Sequence, residues 1–231
     1  MQTIGLIGGL SWESTQIYYR LLNEGIRDRL GGLHSAQLLL YSVDFAPIAV
    51  MQAEARWADA GNALADAAER VERGGADFLV LCSNTMHKVA DAVTARARIP
   101  LLHIADPTGA AIRGRDLTRV GLLGTRFTME QPFYRERLAD RFGLDVLTPP
   151  PAARDRLHAV IYDELCRGRV LEPSRAAFRD IAAALVDAGA QGIIFGCTEI
   201  AMLLGAADVP VPVFDTAALH VAAAIDRALA G

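Results

Sequence analysis

The chain has 231 residues, of which 52% are hydrophobic and 22% charged, and its formal net charge is −4 at pH 7. This size and composition are typical of a soluble globular protein with one large α/β domain or two small ones. Lys and Arg are scattered rather than clustered, which argues against an extended basic surface for nucleic acid and against a polybasic segment for a membrane.

Short β-branched or leucine-rich runs alternate with longer stretches rich in Ala, Leu and Arg, a pattern typical of βα units around a mainly parallel sheet. In chain order, the apolar runs predict strands over residues 3–7, 37–43, 78–81, 101–104, 119–123, 145–147, 192–195 and 211–214. The intervening stretches predict helices over residues 13–29, 54–72, 129–141, 157–167, 174–188 and 217–230.

Two segments of the first half recur in the second. Residues 5–8 (Gly-Leu-Ile-Gly) match residues 121–124 (Gly-Leu-Leu-Gly). A longer segment that begins at Gly75 aligns without a gap on one that begins at Gly189, so that Ser83 falls on Cys197. An internal repeat of this kind indicates two copies of one structural unit.

The repeat predicts an α/β fold of two pseudo-symmetric three-layer domains, each with a mainly parallel sheet. We expect the first half to comprise residues 1–105 plus 213–231 and the second to comprise residues 106–212. Ligands of such folds bind beyond the carboxyl ends of the strands, so we expect the active site in the cleft between the two domains.

The three cysteines, Cys82, Cys166 and Cys197, are an odd number at wide spacing and do not form a disulfide framework. The first apolar run is too short to span a bilayer and lacks the flanking residues of a signal peptide. We therefore expect a cytoplasmic protein whose thiols stay reduced and available for chemistry.

In each copy a buried strand is followed by a polar turn and a predicted helix. This arrangement places Ser83 and Cys197 at strand carboxyl ends and at helix N-termini, where unpaired N–H groups and the helix dipole favour a negative charge. A thiol in such a position has a pKa below the reference value of about 8.5. The sequence therefore predicts that Cys197 acts as a thiolate base near neutral pH.

Removal of a proton from the α-carbon of an amino acid requires either an electron-withdrawing cofactor or hydrogen bonds aimed at the substrate carboxylate. Lys88 is the one lysine in the chain and thus the one candidate for a pyridoxal-phosphate Schiff base, and no Gly-x-Gly-x-x-Gly motif follows a strand. The histidines lack the spacing of metal ligands. We expect neither a cofactor nor a metal.

Three motifs resemble the aspartate/glutamate racemase family: Gly-Leu-Ile-Gly-Gly-Leu-Ser-Trp-Glu-Ser-Thr over 5–15, Ser-Asn-Thr-Met-His over 83–87, and Gly-Cys-Thr-Glu over 196–199. The resemblance extends from the first strand to Thr216 and implies a cofactor-independent amino-acid racemase. Members of that family use two cysteines, one per half, on opposite sides of the α-carbon. The first directly precedes Asn-Thr, where this chain has Ser83.

The chain is similar to a subgroup of the family in which a hydroxyl residue precedes Asn-Thr and which acts preferentially on L-aspartate and L-glutamate. This similarity implies that Cys197 removes the proton from the L-enantiomer, and that Ser83, or a water held by it, delivers a proton to the other face. Cys82 is expected to point away from the substrate, because successive residues of a strand face opposite sides.

The resemblance also implies a set of polar residues that bind the substrate, namely Ser11, Gln52, Asn84, Thr85, Thr125, Thr198 and Glu199. Among these, Glu199 is expected to receive the α-ammonium group. Arg167 or Lys88 could supply a cation for the side-chain carboxylate. We expect Cys166 to pack in the core, and His87 either to reach toward the site or to cap its own turn.

Two other functions remain open. A single-thiol decarboxylase or isomerase of small carboxylic acids on the same scaffold would need Cys197 alone. A catalytically silent amino-acid-binding protein would keep the cleft without the second thiol. In each case the expected partner is a small molecule, and the chain is expected to form a homodimer, because symmetric dimers are the commonest oligomers.

Overall fold

The computed structural model describes residues 1–230, which fold into two compact units. The first contains Met1–His103 together with the C-terminal segment that begins at His220, and the second contains Ile104–Leu219. These limits differ from the expected ones chiefly at residues 213–219, which lie in the second unit. The physical reason is strand pairing, because Val213 pairs with Ile193 of the second sheet.

The first unit is built from alternating strands and helices, with a 3₁₀ turn at Thr85–Val89. In chain order its elements are β1 (Ile4–Gly8), α1 (Trp12–Leu30), β2 (Leu38–Ser42), α2 (Phe45–Ala53), α3 (Trp57–Arg73), β3 (Phe78–Leu81), α4 (Ala90–Arg96) and β4 (Leu101–Leu102). The strands form a parallel sheet in the order β2-β1-β3-β4. The two central strands are completely buried, as expected of parallel strands that helices cover on both faces.

The second unit repeats this pattern, with 3₁₀ turns at Leu165–Arg167 and Ala206–Asp208. Its elements are α5 (Ala105–Arg113), β5 (Arg119–Gly124), α6 (Arg126–Glu130), α7 (Pro132–Phe142), β6 (Asp145–Leu147), α8 (Pro151–Asp163), α9 (Glu172–Asp187), β7 (Ile193–Gly196), α10 (Ile200–Leu203) and β8 (Val213–Asp215). The sheet is again parallel, in the order β6-β5-β7-β8. The last helix, α11 (Thr216–Ala230), follows β8 directly.

The glycines of the repeat mark where helices approach the two central strands. A Cβ atom at Gly5 would collide with Val71 of α3, and one at Gly8 would lie 2.5 Å from the Thr15 side chain of α1. Because residues 5 and 8 point to opposite faces of β1, the two helices cover opposite faces of the sheet. The first unit therefore has three layers.

The second unit shows the same relation at the matching glycines. A Cβ atom at Gly121 would lie 3.0 Å from Leu185 of α9, and one at Gly124 would lie 3.4 Å from Thr128 of α6. The matched glycines thus allow the same close contacts between strand and helix in both units. The predicted fold class of two α/β units with parallel sheets is confirmed, and the two sheets have equivalent strand orders.

The helices differ from the predicted pattern in one region of the first unit. The helix expected over 54–72 is α3, which begins at Trp57, and a further helix that was not predicted, α2, precedes it over Phe45–Ala53. Ala55, with φ of 57°, lies between the two helices. The side chain of Asp44 caps α2 by accepting a hydrogen bond from the Ala46 N–H at 3.1 Å. The consequence for the site is that Gln52 lies on its own short helix rather than in a loop.

Within residues 1–230, no helix is both long enough and apolar enough to cross a membrane.

Candidate active site

Polar residues of the first unit gather at the carboxyl ends of β1 and β3. Ile7 and Leu81 are paired in these neighbouring strands, so the turns that follow them leave the sheet side by side. Ser11 caps α1 by accepting a hydrogen bond from the Ser14 N–H at 3.3 Å. The Ser14 hydroxyl in turn donates to the carbonyl of Cys82 at 3.2 Å, which ties the start of α1 to the end of β3.

Ser83 is buried and opens the turn that follows β3. Its hydroxyl oxygen accepts a hydrogen bond from the Met86 N–H at 3.4 Å, as a capping residue does. The Nδ1 atom of His87 lies 2.7 Å from the Ser83 carbonyl oxygen. A carbonyl oxygen only accepts, so Nδ1 donates. Of the two roles expected for His87, this contact is the cap of its own turn.

The other expected binding residues of the first unit are buried around the same turn. Asn84 and Thr85 continue it, and each side chain is at least 94% buried. Gln52 lies against it from α2, with its Nε2 atom 2.9 Å from the sulfur of Met86. The first unit therefore places Ser83, Asn84 and Thr85 in one turn, which Gln52 contacts through Met86.

Cys82 is completely buried, and burial raises the pKa of its thiol above the ordinary range. A thiol without exposed surface is inaccessible to a substrate. The structure therefore gives no support to Cys82 as a replacement for Ser83.

The second unit has an equivalent pair of strand ends. Gly124 of β5 and Gly196 of β7 are paired, so Thr125 and Cys197 are the next residues of two neighbouring strands. Thr125 caps α6 by accepting a hydrogen bond from the Thr128 N–H at 3.2 Å, and the two threonine hydroxyls lie 3.1 Å apart. A Cβ atom at Gly124 would lie 3.0 Å from the Gly196 carbonyl oxygen, so the close approach of these strand ends depends on glycine.

The Cys197 thiol is bound to a carboxylate of its own turn. Its Sγ atom donates a hydrogen bond to Oε2 of Glu199 at 2.9 Å. The Thr198 hydroxyl donates to the same oxygen at 2.6 Å. Glu199 is only 3% exposed, so its carboxylate depends on these protein donors rather than on bulk water. The sequence assigns Glu199 to the α-ammonium group, whereas in the structure the carboxylate is engaged by the thiol.

The predicted fall in the pKa of Cys197 is wrong. Burial is the largest cause of a shift in the opposite direction, and the negative charge of Glu199 adds to it, so the pKa of the thiol lies well above its ordinary value. The helix that follows is α10, which starts three residues later and has four residues. Such a short helix has too small a dipole to offset an adjacent carboxylate.

Two residues of the site were not predicted. Cys166 lies in the turn after α8, and its thiol is 3.8 Å from Oε1 of Glu199, on the side of the carboxylate that Cys197 does not use. Burial raises the pKa of the Tyr162 hydroxyl, and negative charge on Cys166, Cys197 and Glu199 raises it further. Tyr162 therefore borders the same group. Residues four apart share one face of a helix, so the helix expected over 157–167 would place Tyr162 beside Cys166. In the structure α8 ends at Asp163, and Cys166 lies in the 3₁₀ turn that follows.

We call the group formed by Cys166, Cys197, Thr198 and Glu199 the thiol–carboxylate cluster. All its members belong to the second unit, and three of them are buried at the end of β7. Its shared carboxylate has two thiols and one hydroxyl as hydrogen-bond donors. This arrangement can hold a thiol in its protonated form and take up its proton when a substrate requires the thiolate.

The two candidate cations for a substrate carboxylate are engaged elsewhere. The Lys88 ammonium lies 4.8 Å from the centre of the Trp57 ring. Arg167 is 66% exposed and its closest acidic partner is Asp163, at 3.8 Å. Neither contact places a positive charge beside the cluster. Among the described residues 1–230, no group of three or more His, Cys, Asp or Glu side chains has the arrangement of a metal site.

A protein-family model matches most of this chain. The model of the Asp/Glu/hydantoin racemase family matches residues 7–224. The chain belongs to the Asp/Glu/hydantoin racemase family. Both strand ends described above lie within the matched segment, so the racemase family model covers Ser83 as well as the thiol–carboxylate cluster.

Solved structures of the racemase family agree with this assignment. A Yersinia pestis protein, proposed to be an Asp/Glu racemase, is 51% identical, with a TM-score of 0.92, and the match covers 99% of this chain and all of that one. An aspartate racemase homologue from Pyrococcus horikoshii is 33% identical over the same shares, with a TM-score of 0.85. Picrophilus torridus aspartate racemase, at 18% identity, has a TM-score of 0.80 over 99% of this chain and 94% of its own, which shows a common fold.

Among curated proteins, the chain is similar to one from Pectobacterium carotovorum encoded in the pnlA 3' region. The two are 29% identical over 109 residues, which are 47% of this chain and 71% of that protein. That protein has no described activity.

Proposed function

We propose that the protein racemises acidic amino acids by cofactor-independent transfer of the α-proton, with Cys197 as the acid/base group. Membership of the racemase family and the structural neighbours support an amino-acid racemase. The observation that carries the chemical part of the proposal is the 2.9 Å contact between the Cys197 thiol and the Glu199 carboxylate. It supplies a nucleophilic sulfur together with an acceptor for its proton.

The reaction begins with transfer of the thiol proton to Glu199, which leaves a thiolate at the end of β7. The thiolate then removes the α-proton, and the electron pair of the broken C–H bond moves into the substrate carboxylate as enediolate character. The N–H groups of the strand-end turns, including that of Thr198, and the Thr125 hydroxyl are the proposed donors for that developing charge. Return of a proton to the opposite face completes the inversion.

The second proton donor is proposed to be Ser83 or a water molecule held by it. A hydroxyl is a far weaker acid than a thiol, so the two directions of the reaction have unequal donors and acceptors. The proposal therefore includes a preference for the L-enantiomers of aspartate and glutamate, because their α-proton is the one assigned to Cys197. Asn84, Thr85, Gln52 and Ser11 are the proposed substrate contacts on the Ser83 side.

A route through pyridoxal phosphate would need Lys88 as the Schiff-base residue. Its ammonium lies over the Trp57 ring in a cation–π contact, at 4.8 Å, rather than in a group of phosphate-binding donors. This supports proton transfer by side chains alone.

The decisive experiment follows α-proton exchange of L-aspartate and L-glutamate in deuterated water by NMR, together with chiral chromatography of the product. We expect exchange and D-enantiomer formation by the wild type, and a loss of more than about 100-fold in Cys197→Ala. Cys82→Ala serves as the matched thiol control and should keep the activity. Retention of racemisation by Cys197→Ala would overturn the proposal.

The same assay separates the other functions on this scaffold. A decarboxylase would release carbon dioxide and yield a product with one carboxylate fewer, and a binding protein would show ligand-dependent stabilisation without exchange. Equal rates of exchange from the L- and D-enantiomers would contradict the proposed preference while leaving the racemase assignment in place.

A further inference from the structure

The second thiol of the thiol–carboxylate cluster has no part in the proposed reaction. Proton transfer to and from the α-carbon uses Cys197 and its acceptor, Glu199. Cys166 nevertheless lies on the same carboxylate, with its sulfur 3.8 Å from Oε1, while the Cys197 sulfur lies 2.9 Å from Oε2. Two thiols therefore contact the two oxygens of one carboxylate group.

We propose that Cys166 is the resolving thiol of a reversible oxidation site, in which peroxide converts Cys197 to a sulfenic acid that Cys166 then captures as an intramolecular disulfide. In the first step the Cys197 thiolate attacks peroxide, the O–O bond breaks, an S–O bond forms, and one water leaves after protonation. In the second step the Cys166 sulfur attacks the sulfenyl sulfur, the S–O bond breaks, and a second water leaves with the Cys166 proton. Two thiols and one hydrogen peroxide thus give one disulfide and two waters.

Glu199 serves both steps as the proton acceptor. It is the group that takes the proton of Cys197, and its other oxygen faces the proton of Cys166. The nucleophile in each step is a thiolate, so a base in contact with both thiols favours the sequence of two attacks. The resting cluster is protected from oxidation for the same reason, because burial and Glu199 raise the pKa of Cys197.

The position of Cys166 allows the movement that disulfide closure requires. Cys166 is half-buried and lies in a single 3₁₀ turn, Leu165–Arg167, rather than in a strand or a long helix. The turn ends at Gly168, which has φ of 67°, and the next residues are open to solvent, with Val170 48% exposed. Displacement of a single turn flanked by exposed chain costs less free energy than displacement of the buried end of β7.

The third cysteine provides an internal control. Cys82 is completely buried in the first unit and exposes no surface to peroxide, whereas Cys197 is 8% exposed. Oxidation should therefore consume two of the three thiols of the chain and spare this one.

The test treats the folded wild-type protein with hydrogen peroxide, blocks the remaining thiols under denaturing conditions, and maps the cysteine peptides by mass spectrometry. We expect a disulfide-linked pair of peptides that contain Cys166 and Cys197, the loss of two hydrogens from the intact mass, and reversal by dithiothreitol. Cys82→Ala should form the same disulfide. In Cys166→Ser, Cys197 should instead proceed to the sulfinic acid, which dithiothreitol does not reduce.

Two results would overturn the inference. One is wild-type Cys197 that reaches the sulfinic acid while Cys166 stays reduced. The other is identical recovery of the Cys197 thiol by dithiothreitol in the wild type and in Cys166→Ser. The expected loss of turnover on oxidation rests on the proposed function, but peptide mapping does not. A protein that forms the disulfide without being a racemase would therefore contradict the proposed function and leave this inference intact.

Discussion

The Cys197 thiol and the Glu199 carboxylate share a hydrogen bond of 2.9 Å at the end of β7. Glu199 therefore stabilises the neutral thiol in the free protein and provides the acceptor that makes a thiolate possible during turnover. In a thiolate stabilised by a helix dipole, the negative charge lies on sulfur. In this pair the negative charge lies on the Glu199 carboxylate until the thiol proton is transferred to it. The position of this proton, on the thiol or on the carboxylate, affects several measurable properties.

The ionisation of Cys197 should be visible in its rate of alkylation. Because its pKa is raised, the rate of reaction with iodoacetamide should still be rising at pH values where an ordinary thiol, with a pKa of about 8.5, has reached its plateau. Quantification of the Cys197 peptide by mass spectrometry distinguishes it from Cys166. Half-maximal alkylation at or below the ordinary pKa would contradict the structure.

Replacement of Glu199 by Gln removes the negative charge next to the thiol. The thiolate is then less disfavoured, so the alkylation profile of Cys197 should move to lower pH. Turnover should fall by about 100-fold or more, because the amide cannot accept the thiol proton. If Glu199 acts on the thiol, the loss appears in kcat with KM nearly unchanged.

A mainly raised KM would instead assign Glu199 to the substrate ammonium group. Glu172→Gln is a suitable control, because the side chain of Glu172 is 71% exposed and loses the same charge within the same unit.

Replacement of Ser83 by Cys restores a thiol at the matching strand end. Cysteine is close to serine in size, so the turn should persist, although the cap to the Met86 N–H weakens. We expect exchange of the α-proton from the D-enantiomers to accelerate more than exchange from the L-enantiomers, since a thiol is the stronger acid/base group. Comparison of the two exchange rates by NMR measures this, and an unchanged ratio would remove Ser83 from the proposed proton path.

The turn after β1 should be sensitive to the loss of glycine. Gly9 has φ of 83°, and a Cβ atom there would collide with the Val43 carbonyl oxygen, so Gly9→Ala should lower the free energy of unfolding by more than about 3 kcal/mol. Gly143 has φ of 64° with nothing within 4 Å of its Cβ position, so Gly143→Ala should cost only about 1 kcal/mol. Urea denaturation measures both, and equal costs would mean that backbone conformation alone governs Gly9.

The bounds of two strands follow from features that a sequence displays directly. The short runs at 78–81 and 145–147 predict β3 and β6, and the structure begins and ends both strands at the predicted positions. The repeat of the glycine motifs predicts two similar units because each glycine meets a helix in the same way. Local pattern and chain-level repetition agree here, as they do in well-determined folds.

The helices near residue 54 were harder to predict. Pro47 lies in the first turn of α2, where proline is tolerated. The sequence pattern instead predicts a helix that starts at residue 54. The break at Ala55 depends on a left-handed backbone conformation, which an alanine does not predict.

The electrostatics of the site could not be predicted from its motifs. The sequence shows a turn after a strand, but it does not show that the following helix has only four residues or that Glu199 reaches back to the preceding thiol. Cys166 and Tyr162 reach the cluster from a different part of the second unit, through contacts across more than thirty positions of the chain. Packing determines such contacts, and a single sequence considered alone contains little information about them.

The repeated strand ends have an evolutionary consequence. A protein assembled from two identical subunits has the same residue at equivalent positions of both subunits. In this protein the two equivalent strand ends belong to one chain, so separate codons of its gene specify them. One copy can therefore keep a thiol at Cys197 while the other changes to a hydroxyl at Ser83, without any compromise between them. Duplication within one gene thus gives selection independent control over each of the two strand ends.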